Sequence, residues 1–210
     1  GRKVSLGRAD DVDATVLVSR LRIGDDAPVD IHFDDALRPQ AVQTIAALRG
    51  LGIESAIISG DRPAVVNDVA ATLGIGALAG LSPKDKLEEI KRFAAKGQHV
   101  LMVGDGLNDG PALAAGHVSM APASASDAGQ NAADAVWMGD GLMPVATAIR
   151  AARRTLAVVK QNFGLAIGYN VFAVPLALAG MVTPLVAALA MSGSSIIVVA
   201  NALRLRSAAQ

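Results

Sequence analysis

The sequence predicts an α/β protein: a doubly wound, Rossmann-like domain with a parallel sheet, followed by a hairpin of two transmembrane helices. Short apolar runs alternate with amphipathic helical patterns between residues 31 and 140, and two uncharged stretches of twenty residues follow, 163–182 and 184–203. Strand–helix alternation is typical of parallel sheets that are covered by helices on both faces. A helix of about 20 apolar residues is long enough to cross a bilayer.

Composition and charge exclude several classes of protein. The chain has 210 residues, of which 52% are hydrophobic, so it is not disordered, and it has no cysteine for disulfides or thiolate metal sites. Nineteen basic and nineteen acidic residues cancel, which gives no support to a nucleic-acid partner. All nineteen acidic residues lie at or before Asp140, whereas only basic residues follow it. The last third of the chain therefore differs from the rest in its charge composition.

The α/β pattern consists of apolar runs and of helices that each begin at a proline and stop at a glycine. Strands are predicted over 30–33, 53–58 and 99–103, with short β segments at 118–120 and 135–138, and helices over 39–49, 63–73 and 83–96. Residues 15–23 alternate apolar and polar side chains, which suits a half-exposed antiparallel sheet. We therefore expect three parts: residues 1–28 end a preceding module, 29–145 form the parallel-sheet domain, and 146–206 form a linking helix and the two spans.

Three acidic residues directly follow predicted strands: Asp34, Asp61 and Asp105. In doubly wound sheets the ligand site lies beyond the carboxyl ends of the strands, so we expect these turns to converge on one crevice. The turn Ser59-Gly60-Asp61 offers a hydroxyl, a flexible backbone and a nearby helix N-terminus, which together suit a phosphoryl oxygen. Lys86 offers a point charge for the same group. Taken singly, however, such a turn more often caps a helix, and such a lysine is more often solvated.

The loop at residues 104–109, Gly-Asp-Gly-Leu-Asn-Asp, predicts a magnesium site. Asp105 and Asp109 lie four residues apart with Asn108 between them, and hard oxygen ligands of this kind suit Mg²⁺. Mg²⁺ held by one or two carboxylates and a phosphate is the usual arrangement in phosphoryl chemistry. A simple hairpin turn does not explain why an apolar strand leads into this loop and a helix start leaves it.

These motifs, in their order and spacing, resemble the phosphorylation domain of P-type ATPases, which belong to the haloacid-dehalogenase superfamily. The resemblance extends over about 80 residues. It rests on Asp34 with Arg38 and Pro39, on the turn at 59–61, on Lys86 after Pro83, and on the run MVGDGLNDGPAL at 102–113.

The resemblance implies a role for each motif. Asp105 is implied to ligate Mg²⁺ with support from Asn108 and Asp109, while the turn at 59–61 surrounds the phosphoryl group and Lys86 stabilises its charge. Residues 1–28 are implied to be the tail of a nucleotide-binding domain, which would bind most of the ATP. Such a pump moves cations across a membrane through an aspartyl-phosphate intermediate.

The two spans narrow the resemblance to the heavy-metal branch of these pumps. Tyr169 and Asn170 in the first span, and Met191 and Ser195 in the second, are similar to the pattern of the Cu(I)/Ag(I) exporters. The resemblance implies that they bind the transported Cu(I) or Ag(I) together with cysteines elsewhere in the polypeptide. A thioether suits Cu(I), and neither span contains Asp, Glu, Lys or His, which argues against the zinc, cadmium and cobalt branches. Without the family, Met191 would more often be a packing residue and Tyr169 an interfacial anchor.

The sequence departs from this family in lacking the Asp-Lys-Thr-Gly-Thr motif that carries the phosphorylated aspartate, and in lacking a Cys-Pro-Cys helix. Neither Asp34 nor Asp35 precedes the expected Thr-containing turn, so neither is taken as the nucleophile. We expect Gly1 to be a break inside a longer reading frame, and the 210-residue chain alone to be inactive in ATP hydrolysis. Two alternatives stay open: a membrane-tethered haloacid-dehalogenase-like phosphatase, and a non-catalytic protein that binds Mg²⁺ or phosphate.

The flanks of the predicted hairpin are basic, with Arg153, Arg154 and Lys160 before it and Arg204 and Arg206 after it. Two spans put both flanks on one side of the membrane, and the positive-inside bias makes that side cytoplasmic. We therefore expect an integral protein of a bacterial cell membrane. Its expected partners are the rest of the same polypeptide, membrane lipid and a copper chaperone.

Overall fold

The computed structural model describes residues 2–8, 17–33 and 36–205, with the backbone alone at residues 8, 17 and 33. Asp34, Asp35 and Arg206, which entered the predictions above, lie outside these residues. The chain divides into two compact units, of which the first ends at Met143 and the second begins at Pro144.

The first unit opens with a three-stranded antiparallel sheet. Its strands are β1 (Val4–Arg8), β2 (Leu17–Ile23) and β3 (Val29–Phe33), in that order. The expectation that residues 30–33 belong to the parallel sheet is wrong, because β3 pairs with β2. Five residues, 24–28, separate these two strands, and a parallel connection needs a crossover of about a dozen residues or more.

The parallel strands form two groups. β4 (Ala56–Ile58) pairs with β5 (Gly76–Leu78), and β7 (Val118–Pro122) lies between β6 (Leu101–Val103) and β8 (Ala135–Trp137). All three of these pairings are parallel, which confirms the predicted α/β class. β4 and β6 begin later than predicted, at Ala56 and Leu101, and β5 was not predicted.

Five helices alternate with these strands. They are α1 (Ala41–Gly50), α2 (Pro63–Leu73), α3 (Pro83–Ala95), α4 (Gly110–Ala115) and α5 (Asp127–Ala132). Proline is the first residue of α2 and α3, where its missing N–H and fixed φ are tolerated. Helix α1 begins at Ala41 rather than Pro39, because Gln40 before it has φ of 62°.

A small core holds the ends of β4 and β6 together. Ile90, Met102, Ala112 and Leu113 form a buried cluster, and Ile58 packs against it. Ile58 is the last residue of β4 and Met102 lies in the middle of β6. The turns that follow these two strands therefore start from a common core.

The second unit contains two long helices, α6 (Met143–Leu178, 36 residues) and α7 (Pro184–Leu203, 20 residues). Among the described residues, α7 is the helix that is long and apolar enough to cross a membrane, with a mean hydropathy of 1.9. The segment 163–182 is not a helix of its own. Its helical part is the end of α6, which Asn170 and Pro175 make less apolar, and residues 179–182 belong to the connection to α7.

Candidate functional site

The turn after β4 is fixed by its own side chains and by the loop that leads into α3. The Ser59 hydroxyl donates to Asp61 Oδ2 (3.2 Å) and accepts from the Asp61 N–H (3.1 Å). Leu81 N donates to Ser59 O at 2.9 Å. A Cβ on Gly60 would lie 3.0 Å from the Leu81 carbonyl oxygen, so the loop would have to shift to accept a side chain. Gly60 and Asp61 are exposed, so the rest of the turn is open to solvent.

Helix α3 presents Lys86 toward the loop after β6. The helix begins with a capping box, in which Ser82 Oγ accepts from Asp85 N (3.2 Å) and Asp85 Oδ2 accepts from Ser82 N (2.9 Å). Hydrogen bonds from the Ser82 hydroxyl and N–H lower the pKa of Asp85 from 3.8. One turn into the helix, Lys86 is 7% exposed and forms an ion pair with Asp109. A lysine this buried needs such a partner.

The loop at 104–109 carries an exposed carboxylate on a tightly held backbone. Asp105 Oδ1 accepts from Leu107 N at 3.1 Å, and the side chain is exposed. From behind, Ser126 donates to the Asp105 carbonyl oxygen through its N–H (3.2 Å) and its hydroxyl (3.1 Å). Gly106, which has φ of 75°, lies against Gly129 of α5. The two segments are so close that a methyl group on either glycine would overlap the backbone of the other segment.

Sequence reasoning did not identify Ser126 and Gly129 as part of the site. A serine at a helix start is a common N-cap, and Ser126 does accept from Gly129 N at 3.1 Å. That signal predicts the helix start, but it does not predict the contact with a loop 21 residues earlier.

The predicted residues of the first unit come together in part. Lys86 and Asp109 form a pair, and Asp105 and Asn108 lie exposed on the same loop. Ser59, Gly60 and Asp61 connect to Lys86 through the loop before α3. In the described part of the chain no hydrogen bond joins the turn at 59–61 directly to Lys86 or Asp105.

The donor set fits Mg²⁺ better than a metal that needs a complete protein cage. No group of three or more His, Asp or Glu residues in the described ranges could hold a metal ion. Asp105 offers one exposed carboxylate, whereas Asp109 already serves Lys86. Mg²⁺ is commonly held by one or two carboxylates together with phosphate oxygens and waters. A single exposed hard-oxygen ligand fits that arrangement.

The four residues predicted to bind the transported ion lie in two pairs, one on α6 and one on α7. Asn170 Nδ2 donates to Ala166 O (2.9 Å) and Ser195 Oγ donates to Met191 O (3.0 Å), each within its own helix. Met191 is 68% exposed. Tyr169 lines a groove of about 620 Å³ between the two helices, beside Gly164 and Gly168. In the described residues no hydrogen bond links the pair on α6 to the pair on α7.

A polar cluster joins the two helices at the other end of that groove. Asn201 Nδ2 on α7 donates to Asn162 Oδ1 (2.9 Å) and Gln161 Oε1 (3.2 Å) on α6. Arg204 Nη1 donates to Asn201 Oδ1 at 3.2 Å. The sequence marks Asn162 and Asn201 as polar groups in apolar surroundings, but it does not pair them.

Comparison with known proteins identifies relatives of both units. The family model described as haloacid dehalogenase-like hydrolase matches residues 6–117. The chain is 60% identical over 174 residues to the nitrogen fixation protein FixI of Rhizobium leguminosarum bv. viciae, covering 82% of this chain and 23% of that protein. It is 41% identical over 177 residues to the copper-exporting P-type ATPase of Mycobacterium leprae, covering 84% of this chain and 23% of that protein.

A solved structure extends the likeness to almost the whole chain. The crystal structure of a zinc-transporting PIB-type ATPase in the E2.Pi state superposes with a TM-score of 0.81 and 32% identity, covering 98% of this chain and 36% of that one. The chain spans about a quarter of the length of the curated relatives it matches.

Proposed function

This chain belongs to the haloacid dehalogenase-like hydrolase family, and we propose that it is the carboxyl-terminal part of a P-type ATPase that exports Cu(I) from the cytoplasm. The observation that carries the catalytic part of this proposal is the buried Lys86–Asp109 pair beside the exposed Asp105 carboxylate. The pair holds the Lys86 ammonium next to the loop at 104–109, where a phosphoryl group bound with Mg²⁺ would carry negative charge. Relatives named as ATPases agree with that chemistry.

Each residue has a distinct task in the proposed reaction. Asp105 would hold Mg²⁺, which supplies positive charge that offsets the charge of the transferring phosphoryl group. Asp109 holds the Lys86 ammonium in place through the ion pair, and Asn108 offers an amide from the same loop. The turn at 59–61 orients the phosphoryl oxygens through its hydroxyl and its backbone. An aspartate in the preceding part of the polypeptide would accept the phosphoryl group, and ATP would bind mainly there.

The catalytic proposal is tested by replacing Asp105 in the complete polypeptide that carries this sequence. Asp105→Asn keeps the size of the side chain and removes the charge that binds the metal. We expect the rate of phosphoenzyme turnover, measured with radiolabelled ATP, to fall at least about 100-fold. Asp68→Asn, an equally exposed aspartate on α2, is the matched control and should leave the rate unchanged. Near-normal turnover in Asp105→Asn would refute the assignment.

The choice of Cu(I) as cargo rests on the chemistry of the second unit. Residues 141–210 contain no Asp, Glu, His or Cys. Divalent zinc prefers imidazole, carboxylate or thiolate ligands, whereas the Met191 thioether is a soft ligand suited to Cu(I) and equally to Ag(I). Tyr169, Asn170 and Ser195 would complete the site together with cysteines from other helices of the polypeptide. Similarity of fold to a zinc-transporting ATPase does not argue against Cu(I), because the choice of transported ion depends on the side chains that bind it.

Comparison of two methionine variants tests the proposed ion site. Met191→Ala is expected to weaken Cu(I) binding by the complete pump at least about tenfold, because one soft ligand is lost. Met181→Ala is the matched control, since Met181 is equally exposed, at 72%, but lies in the connection between α6 and α7. Equal Cu(I) affinity in both variants would leave Met191 as a packing residue.

The membrane arrangement completes the proposal. The relatives and the apolar helix α7 support a membrane location. We place the end of α6 in the membrane as a second span, with both flanks of the hairpin on the cytoplasmic side of a bacterial cell membrane. The remaining helices of the same polypeptide would surround the hairpin, and a copper chaperone would deliver the ion.

A further inference from the structure

The polar cluster of Gln161, Asn162, Asn201 and Arg204 contains more hydrogen-bond donors than acceptors. Asn201 uses its amide nitrogen for the oxygens of Gln161 and Asn162, and its own oxygen accepts from Arg204. The side-chain oxygens of the three amides are therefore engaged inside the cluster. Among the described residues no acceptor is bonded to the amide N–H groups of Gln161 and Asn162, and Arg204 adds a guanidinium. Such a surface suits an anion.

Fixed charge around the cluster has one sign. Lys160 directly precedes Gln161 and is exposed, and Arg153 and Arg154 lie about two turns earlier on α6. No Asp or Glu follows Asp140 in the sequence, so every charged side chain of the second unit is basic. Hydrogen-bond donors and positive charge therefore coincide at one end of the α6–α7 pair.

The position of the cluster along the helices indicates where the anion comes from. Arg204 directly follows α7, and Lys160 lies three residues, or about 4.5 Å of helix, before the apolar stretch that begins at Phe163. The headgroup layer on each side of the hydrocarbon core is about 5–8 Å deep. Both cations thus lie at headgroup depth when the apolar parts of α6 and α7 fill the core.

We propose that Lys160, Arg204 and the amides of Gln161 and Asn162 bind the phosphate of an anionic phospholipid. This site is separate from the phosphoryl and Cu(I) sites, and it depends on the proposed function only for placing the hairpin in a membrane. Asn201 acts as a positioning residue, because it bridges α6 to α7 and holds the side-chain oxygens of Gln161 and Asn162.

The proposal is tested on the complete 210-residue chain by native mass spectrometry, with equimolar dioleoylphosphatidylglycerol and dioleoylphosphatidylcholine as the probe. The wild-type chain should retain phosphatidylglycerol preferentially. Lys160→Gln/Arg204→Gln should lower that preference about 30-fold, or about fivefold for each charge removed. The control Arg150→Gln/Arg154→Gln removes the same charge farther from the apolar stretch and should change it less than about threefold.

Asn201→Leu distinguishes an effect of the hydrogen-bonded cluster from an effect of charge. The variant keeps every cation but removes the hydrogen bonds that join α7 to α6. It should lower the preference about fivefold. An unchanged preference in Asn201→Leu, equal losses in the two double variants, or no preference in the wild-type chain would each overturn the headgroup site. Resistance of the chain to carbonate extraction from membranes reports on the spans themselves, so an extracted chain would refute the proposed membrane arrangement instead.

Discussion

The close approach of Gly106 to Gly129 predicts that an added methyl group will displace the loop that carries Asp105. A Cβ on Gly106 would overlap Gly129 Cα and lie 2.6 Å from Gly129 N. Both are backbone atoms, so the clash is relieved only if the backbone of the loop or of α5 shifts. Gly106 also has φ of 75°, which L side chains rarely adopt. Gly106→Ala therefore combines a backbone penalty with a steric one.

A second glycine separates the two penalties. Gly97 has nearly the same φ, 76°, but a Cβ there would meet nothing within 4 Å. Gly97→Ala should cost only the backbone penalty, about 1–2 kcal/mol. Gly106→Ala should cost that amount and about 1–3 kcal/mol more for overpacking. The free energy of unfolding should therefore fall by about 3 kcal/mol in Gly106→Ala.

The single tryptophan of the chain provides the assay. Trp137 in β8 is 6% exposed and its indole N–H donates to Gly141 O at 3.0 Å, so its fluorescence reports unfolding of the first unit. Urea unfolding of the detergent-solubilised 210-residue chain gives the free energies of both variants. If Gly106→Ala is no less stable than Gly97→Ala, the contact with Gly129 does not hold the loop and the reasoning is refuted.

Two further predictions concern α3 and its partners. Lys86→Met leaves the Asp109 carboxylate, which is 18% exposed, without its cation and should lower the free energy of unfolding by about 3 kcal/mol. Lys86→Met/Asp109→Leu should recover part of this loss, whereas strictly additive losses in urea unfolding would contradict the pair. The pKa of Asp85 should lie below 3.8 in an NMR titration, because Ser82 stabilises the carboxylate, and Ser82→Ala should raise it. A lowered pKa means that the stability from the cap is present above pH 3.8 and is lost as the pH falls through the folded-state value, so equal pKa values in the two proteins would be the contrary result.

Local signals in the sequence explain which parts of the fold were predictable. Proline at the start and glycine after the end mark α2, and its N-terminus at Pro63 was predicted to the residue. The pairing of β3 was not predicted, because an apolar run looks alike in either kind of sheet. Only the length of the connection at 24–28 distinguishes the two, and it favours the antiparallel pairing that the structure shows.

In the candidate site too, local features were predictable from the sequence, whereas long-range contacts were not. The loop at 104–109 stands out because its residues are neighbours in sequence and their chemistry is specific. The Gly106–Gly129 contact and the Asn162–Asn201 bond join residues 23 and 39 positions apart, and neither leaves a periodic pattern in the chain. A glycine inside a short helix, such as Gly129 in α5, is nevertheless unfavourable for the helix, and that cost is a sign that the position serves a close approach.

The proposed catalytic site and the proposed ion site rest on different observations, because their residues lie in different units. The first unit holds its carboxylates and Lys86 through backbone turns, a capping box and a buried ion pair, which depend on the fold. The second unit consists of two helices whose surfaces are largely exposed, so its chemistry depends on the side chains themselves. Likeness of fold therefore bears on the proposed phosphoryl chemistry, whereas the proposed identity of the ion rests on residues such as Met191 and on the lack of acidic and imidazole side chains after Asp140.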